Sequence, residues 1–202
     1  MEQLSLFDNE GYQFPEELLQ FEPHFLSNKE ADALFKLLLQ EVPWQHTAQK
    51  MYDRIVTTPR LTAWYGEEDT SYRLGGRNII ANQWLTPLYD LKVKIEQRFN
   101  CQFNSVLLNL YRDQNDSVAW HRDRESELGN RPVIGSLSLE QARYFDFRRV
   151  DDHSQKRSLL LKHGSLLLMK GDLQESWEHR IAKSSQAMTP RINLTFQLIR
   201  EE

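Results

Sequence analysis

The alternation of hydrophobic and polar positions in residues 27–42 has the period of an α-helix. Ser27 and Glu30 stand at the spacing of a capping box, in which each side chain satisfies a backbone donor at the start of a helix. Pro43 then prevents the helix from continuing. The apolar stripe of this predicted helix consists of Ala31, Leu34, Leu38 and Val42.

The same period recurs in residues 87–99 and predicts a second helix. Thr86 is the predicted N-cap and Pro87 falls in the first turn, where a proline is tolerated. The apolar face consists of Leu88, Leu91, Ile95 and Phe99. We expect both helices to belong to the scaffold.

From about residue 103 the pattern changes from helical to alternating. Short apolar runs separated by polar residues predict β-strands. There are seven such runs: FNSVLLNLYR, SVAWH, VIGSLSL, RYFDF, SLLLK, SLLLMK and RINLTFQLI. Helices first and strands later favour an α+β fold with a mainly β core, built as a sandwich or barrel, over a parallel wound sheet.

Length and composition fit one globular domain. The 202 residues suffice for one core, which we place at residues 11–202 behind a flexible tail at residues 1–10. No apolar run approaches the roughly 18 residues that would span a bilayer. Cys101 is the only cysteine, so an intramolecular disulfide is excluded and a reducing, cytoplasmic location is expected.

The charge gives no general attraction to nucleic acid. The net charge is −4 and the pI is about 5.9, so any binding to DNA or RNA must come from a local basic surface. Residues 142–157 carry five basic and three acidic side chains and are a candidate for phosphate contact. A solvated hairpin face is the alternative for this segment.

Three residues could hold a metal ion. His121 and Asp123 are two positions apart, so on an extended segment both side chains leave the same face. His179, between the SLLLMK run and the final strand, could supply a third ligand. Two imidazoles and one carboxylate are typical of non-haem Fe(II) oxygenases and leave coordination positions open. By themselves these residue types are a weak signal in a chain with six histidines.

The final run, PRINLTFQLI, alternates strictly between apolar and polar residues. Its polar face consists of Arg191, Asn193, Thr195 and Gln197. A buried arginine is costly without an anion, and a dicarboxylate could satisfy it. Asn109 and Tyr111 likewise share a face one strand before the predicted metal ligands. A polar outer face on an edge strand is the alternative for both segments.

Two other catalytic classes do not fit the pattern. The HRD at 121–123 occurs in the catalytic loop of kinases, but that pattern needs Asn five residues after the Asp, and position 128 is Leu. A Gly-rich phosphate loop is also missing from the sequence. Zinc hydrolysis is disfavoured because the sequence has no HExxH segment. The other histidines are interpreted as surface or core residues.

Taken together, NLYRDQNDSVAWHRD, VIGSLSL, HGSLLLMKG, WEHRI and PRINLTF resemble the AlkB family of DNA and RNA dealkylases in order and spacing. The earlier PRLTAWYGEEDTSYRLGG is similar to the nucleotide-recognition region of its DNA-repair subgroup. The resemblance implies a double-stranded β-helix, or jelly roll, at about 101–200. It also implies an N-terminal α/β extension that forms a nucleotide-recognition lid at about 50–100.

The resemblance also implies roles for individual residues. His121, Asp123 and His179 would be the catalytic Fe(II) ligands. The residues that would hold the co-substrate 2-oxoglutarate are Asn109, Tyr111, Arg191 and Asn193. In this family the reaction consumes O2 and 2-oxoglutarate, releases succinate and CO2, and removes an N-alkyl group as formaldehyde.

The family's way of binding substrate implies a flipped base held between His121 and the segment 72–76. Glu125 would lie near the edge of that base, and the candidate wall or lid residues are Tyr65, Tyr72 and Arg73. Packing within the lid is the alternative role for Tyr65.

Four positions depart from the pattern expected of a repair-type member. Gln197 stands where a second arginine normally completes the co-substrate site, and Arg180 is a neighbour that could compensate. The other departures, which concern the substrate more than iron, are Leu74, Arg124 and Glu140. They leave a second hypothesis open: a member with altered or lost dealkylase activity, serving as a nucleic-acid-associated binding module or as an oxygenase on another substrate.

The N-terminal QLSLF resembles the sliding-clamp-binding peptide of bacterial replication and repair proteins. In that mode apolar side chains insert into a pocket while the glutamine bonds to its rim. The residues that would bind the clamp are Gln3, Leu4, Leu6 and Phe7. A first β-strand or a disordered start is the alternative.

Overall fold

The computed structural model describes residues 17–51, 54–67, 71–74, 77–123 and 128–200. The helices in these ranges are α1 (Asn28–Glu41), α2 (Thr86–Phe99) and α3 (Leu173–Ser176). The strands are β1 (Leu19–Glu22), β2 (Gln45–Met51), β3 (Arg54–Gly66), β4 (Ser71–Leu74), β5 (Arg77–Ile80), β6 (Asn82–Gln83), β7 (Ser105–Tyr111), β8 (Val118–His121), β9 (Ile134–Glu140), β10 (Arg143–Arg149), β11 (Lys156–Leu161), β12 (Leu166–Met169), β13 (Trp177–Ile181) and β14 (Arg191–Gln197).

Two antiparallel sheets face each other across an apolar core. The major sheet has the order β1-β12-β9-β14-β7-β3-β2, with β6 added in parallel to β3, and the minor sheet has the order β11-β10-β13-β8. Phe147 and Ile181 of the minor sheet share a buried cluster with Leu167 and Met169 of the major sheet. This is the mainly β core that the pattern of the sequence predicted, built as the jelly roll that the resemblance to the AlkB family implied.

The long helices cover the outer face of the major sheet. Residues of α1 and α2, among them Leu38, Leu88 and Ile95, pack in one cluster with alternate residues of β7 and β14 such as Leu108 and Leu194. The alternation along these strands sends their apolar residues to the helices. Their polar residues therefore face the minor sheet, and this side is called the inner face below.

The two predicted helices are confirmed, with one correction at a helix end. Ser27 caps α1, and the reciprocal bonds of the capping box with Glu30 are both present. The N-cap of α2 is Leu85 rather than Thr86, because this helix begins one residue earlier than predicted. Thr86 therefore lies inside the first turn, and no side chain caps this helix.

All seven apolar runs are strands, but the expectation that helices precede the strands is wrong. Strands β1 to β6 come from the first half of the chain, and β3 pairs with β7 in the middle of the fold. Polar residues interrupt the apolar pattern of β3, because Thr62 lies opposite Asn109 on the inner face and Arg60 bonds to Asn109. The short strand β13 was also not predicted.

The N-terminal predictions are tested only in part. Residues 1–10, the predicted tail with its clamp-binding peptide, lie outside the described residues. Residues 54–66, at the start of the predicted lid, form a strand of the major sheet, and the role of the lid stays a prediction. Within the described residues, no helix combines the length and apolar character that crossing a membrane requires.

Candidate metal and co-substrate site

The three predicted metal ligands meet at the edge of the minor sheet. His121 ends β8 and lies directly opposite His179 of β13, and Asp123 follows two residues later. One carboxylate oxygen of Asp123 is 3.6 Å from Nε2 of His121, and the other is 3.5 Å from Nε2 of His179. All three ligand atoms lie within 4.8 Å of one another. One ion can therefore contact all of them.

Neighbouring groups fix the orientation of the first two ligands. Nδ1 of His121 is 2.9 Å from the carbonyl oxygen of Ala119, which can only accept, so Nδ1 carries the proton and Nε2 offers its lone pair. The backbone N–H of Asp123 donates to Oε1 of Gln174 over 3.0 Å. Gln174 is itself buried, on α3. Both ligands are thus held before any ion binds.

His179 lies deepest of the three. Its side chain is 3% exposed, against 37% for His121, and its ring centroid is 4.9 Å from that of Phe145. Burial, followed by the proximity of His121, holds the pKa of His179 well below its ordinary value. The imidazole is therefore neutral, as a metal ligand must be.

The chemistry of these donors fits ferrous iron. Two neutral imidazoles and one carboxylate, all offered from one side, match the ligand set of non-haem Fe(II) oxygenases. The His179 side of the site is buried and the His121 side is partly exposed, so a substrate would approach from the side of His121. The structure brings together all three ligands that the sequence predicted.

Arg191 lies on the inner face with two donors unsatisfied. It is 1% exposed, and its Nη2 donates to Oγ of Ser138 over 2.8 Å, while Nε and Nη1 have no partner. Burial, with a further contribution from Arg143, lowers the pKa of Arg191 to about 10, so the group is still charged near neutral pH. A buried cation with two free donors suits a carboxylate that binds bidentately.

The other predicted co-substrate residues surround this arginine. Tyr111 lies opposite Arg191, whose guanidinium carbon is 5.1 Å from the ring centroid, and Asn109 lies opposite Asn193. Nδ2 of Asn193 donates to Oγ of Ser136 over 2.8 Å. All four predicted residues are thus on the inner face of the adjacent strands β7 and β14.

Gln197 shares this face, but the structure does not support compensation by Arg180. Gln197 is buried at the far end of β14, opposite Ser105. Arg180 alternates with His179 on β13, so its side chain lies on the outer face of the minor sheet, where Nε donates to Asp146 over 2.9 Å. The suggestion that Arg180 replaces the missing charge is therefore wrong.

Of the predicted substrate residues, Tyr65 is the one whose side chain the structure describes. Tyr65 is 2% exposed in the cluster beneath the helices, on the opposite face of β3 from the site, and this placement supports the packing role. Tyr72 and Arg73 lie on β4, which pairs only with β5 in the sheets described. Glu125 lies outside the described residues.

The remaining departures from the family pattern have different outcomes. Glu140 has a φ of 65°, in the left-handed region that glycine adopts at least cost, which explains why Gly is usual there. Leu74 ends β4, and Arg124 lies outside the described residues.

Three of the five basic side chains in segment 142–157 are bound to other groups of the protein. Arg143 is buried and donates to the carbonyl oxygens of Asp116 and Ala182. Arg148 pairs with Glu178, and Arg149 pairs with Asp151. These contacts favour the solvated hairpin over a phosphate-binding surface.

Two residues that contact the site were not anticipated: Arg60 and Gln174. Nε of Arg60 donates to Oδ1 of Asn109 over 2.6 Å from the neighbouring strand. The alternation of Arg60 and Thr62 in PRLT could have indicated a polar face in line with Asn109. For Gln174, which lies 51 residues from Asp123, the sequence holds no comparable signal.

Comparison with known proteins agrees with this geometry. The model of the 2OG-Fe(II) oxygenase superfamily matches residues 19–197. Alpha-ketoglutarate-dependent dioxygenase alkB homolog 3 of Mus musculus is 39% identical over 186 residues, which are 88% of this chain and 64% of that protein. DNA oxidative demethylase ALKBH2 of Mus musculus is 32% identical over 180 residues, which are 84% of this chain and 75% of that protein.

Solved structures share the fold at low identity. OsALKBH1 superposes with a TM-score of 0.65 at 12% identity, over 92% of this chain and 99% of that one. A Pseudomonas putida prolyl-4-hydroxylase superposes with a TM-score of 0.56 at 15% identity, over 92% of this chain and 94% of that one.

These matches define the family, although the chain spans less than two thirds of the length of the alkB homolog 3 proteins it matches. The predicted cofactors, Fe(II) and 2-oxoglutarate, are confirmed by the family match together with the His-Asp-His site. The chain belongs to the 2OG-Fe(II) oxygenase superfamily and, within it, to the AlkB homologues.

Proposed function

We propose that this protein removes alkyl groups from the nitrogen atoms of DNA bases, and of RNA bases where they fit, by oxidation. The observation that carries the proposal is the pairing of a three-ligand metal site with a buried arginine whose Nε and Nη1 have no partner. The metal ligands lie on the minor sheet and Arg191 on the facing major sheet. The metal ligands and the arginine that would bind a dicarboxylate therefore belong to sheets that face each other.

The overall reaction balances with one molecule of each reactant. O2 and 2-oxoglutarate give succinate and CO2 with one oxygen atom, while the other oxygen enters a C–H bond of the N-alkyl group. The resulting N-hydroxyalkyl group breaks at its C–N bond and, for a methyl group, releases formaldehyde and restores the base. Fe(II) bound at the triad supplies the position at which O2 is activated.

The residues of the chain have separate tasks in this proposal. His121, Asp123 and His179 hold the ion and leave the rest of its coordination sphere to the reactants. Arg191 binds the distal carboxylate of 2-oxoglutarate, with Tyr111 beside it. The apolar rings around His179 keep water away from the buried side of the site.

Two observations support a base as substrate. The relatives include a protein named DNA oxidative demethylase, and His121 is partly exposed, so a large substrate could approach from its side. We retain Tyr72, Arg73 and Glu125 as the residues that contact the flipped base. The packed position of Tyr65 gives no support to a contact with the base.

The experiment is an assay of the purified protein with Fe(II), 2-oxoglutarate, O2 and N-methylated oligonucleotides, as single-stranded DNA, double-stranded DNA and RNA. Formaldehyde and succinate should form in equal amounts with a methylated strand, and an unmethylated strand and the His179→Ala variant serve as controls. A protein that binds both cofactors and yields no formaldehyde with any strand would support the alternative hypothesis of altered or lost dealkylation.

We also propose that Gln3, Leu4, Leu6 and Phe7 bind a bacterial sliding clamp. The support is the sequence QLSLF together with a net charge of −4, which makes tethering to DNA through a partner useful. Deleting residues 2–8 should abolish binding to the clamp and leave turnover of free oligonucleotides intact. Unchanged clamp binding would contradict this assignment.

The cytoplasm is the proposed location. A single cysteine, Cys101, is consistent with a reducing compartment, and burial raises the pKa of its thiol to about 11, so the thiol stays protonated. Fractionation of the native host with antibodies to the protein would test the location.

A further inference from the structure

Arg60 reaches the co-substrate site from the neighbouring strand. In the pairing of β3 with β7, Thr62 lies opposite Asn109 and Leu61 opposite Leu110, and Arg60 is the next residue along β3. Its Nε donates to Oδ1 of Asn109 over 2.6 Å. The guanidinium is thus adjacent to the residues that surround Arg191.

This contact determines which end of the Asn109 amide faces the site. A guanidinium can only donate, so the amide atom that Arg60 contacts must be the oxygen. Nδ2 of Asn109, with its two N–H groups, is then the atom left to bond elsewhere. A donor at this position suits a carboxylate, whereas the reversed amide would repel one.

The charges around Tyr111 point the same way. Within the described residues, Arg60, Arg143 and Arg191 bond to amide, carbonyl and hydroxyl oxygens rather than to carboxylates. The carboxylate of Asp123 belongs to the metal triad. A co-substrate with two carboxylates would therefore balance an excess of positive charge around Tyr111.

Gln197 is neutral, so the positive charge of Arg60 matters more to the co-substrate site. Gln197 lies opposite Ser105, and Arg60 follows Leu61, which lies opposite Leu110, so Asn109 lies between the two positions along β7. Arg60 bonds to Asn109, whereas Gln197 lies four residues along β14 from Asn193, the partner of Asn109. In this chain only the position in β3 carries the charge.

We propose that Arg60 is a positioning residue of the 2-oxoglutarate site, which holds the Asn109 amide as a donor and supplies the positive charge that Gln197 does not. The inference rests on the proposed function of the site. It assigns a role to a residue that lies outside both the metal triad and the β7 and β14 residues predicted to hold the co-substrate.

The test is the dissociation constant of 2-oxoglutarate, measured by calorimetry without O2 and with Mn(II) in place of iron. Arg60→Met should weaken 2-oxoglutarate binding by about tenfold or more, since a charge-assisted contact is lost, and Arg60→Lys should weaken it less. The affinity for Mn(II) without 2-oxoglutarate should not change. Arg180→Met is the matched control, because Arg180 is a partly exposed arginine on the outer face.

The variant Gln197→Arg distinguishes the loss of a positive charge from the loss of local structure. Gln197→Arg should recover most of the affinity when added to Arg60→Met and should add little to the unmodified protein. Arg60→Met binding as tightly as the unmodified protein, or Gln197→Arg giving equal gains in both backgrounds, would overturn the inference alone. A failure of the unmodified protein to bind 2-oxoglutarate would overturn the proposed function as well.

Discussion

His121 and His179 are direct cross-strand partners, with ring centroids 4.3 Å apart. One ends the edge strand β8 and the other lies in the middle of β13, so the pairing of two short strands brings together residues that are far apart in the sequence. The metal site therefore depends on the register of the minor sheet as much as on the identity of its ligands. A slip of one residue would turn His179 to the outer face.

Removal of His179 should eliminate specific metal binding. His179→Ala deletes the buried ligand, and two remaining ligands hold a divalent ion weakly. Metal analysis after anaerobic loading should find about one ion per chain in the unmodified protein and almost none in the variant. His24→Ala removes an exposed histidine and should bind as the unmodified protein does. Equal loading of all three proteins would refute the ligand assignment.

Gln174 should affect the affinity for the metal ion, although it contacts the ligand Asp123 and is not a ligand itself. Gln174→Leu leaves the backbone N–H of Asp123 without its acceptor, and loss of such an orienting contact typically lowers metal affinity by about 10- to 100-fold. Competition with a chelator measures the change. Gln102→Leu, at an exposed position, is the control. A Gln174→Leu variant with undiminished affinity would show that Asp123 is held by other contacts.

Arg191→Met should stabilise the ligand-free protein and at the same time abolish the binding of 2-oxoglutarate. Among the described residues no carboxylate pairs with the buried charge of Arg191, so an apolar side chain of similar length should raise the free energy of unfolding of the ligand-free protein by about 1 kcal/mol or more. The same change should abolish the rise in melting temperature that 2-oxoglutarate produces. A variant that is less stable and still stabilised by 2-oxoglutarate would contradict the role given to Arg191.

The capping box of α1 should make the protein lose stability as the pH falls below about 4.5. Hydrogen bonds from the Ser27 side chain and backbone lower the pKa of Glu30 from 4.5 to about 2. A carboxyl whose pKa is lowered by folding stabilises the protein fully above the unfolded value, and this contribution is lost as the pH falls from 4.5 towards 2. Glu30→Gln should therefore reduce the loss of stability over that interval, as followed by chemical denaturation at each pH. Glu41→Gln, at an exposed position in the last turn, should not.

The sequence predicted the parts of the molecule whose signals are local. The capping box of Ser27 and Glu30, the alternation of the final strand and the spacing of His121 and Asp123 each depend on residues a few positions apart. The resemblance to the AlkB family then placed Asn109 and Tyr111 beside Arg191, as the pairing of β7 with β14 shows.

Contacts between distant segments could not be predicted in this way. Gln174 reaches Asp123 and Arg60 reaches Asn109 only because the sheets place their strands together. Strand β3 was not recognised because its inner face is polar where it lines the site. The suggestion about Arg180 is wrong because β13 is a strand that the sequence pattern did not predict. The alternation of side chains along this strand turns Arg180 away from His179.

A crystal structure with Mn(II) and 2-oxoglutarate, grown without O2, tests the central claim most directly. Anomalous scattering should place one Mn(II) between Nε2 of His121, the carboxylate of Asp123 and Nε2 of His179. The distal carboxylate of 2-oxoglutarate should bond to Nε and Nη1 of Arg191. Manganese at other residues, or a dicarboxylate bound away from Arg191, would contradict the account.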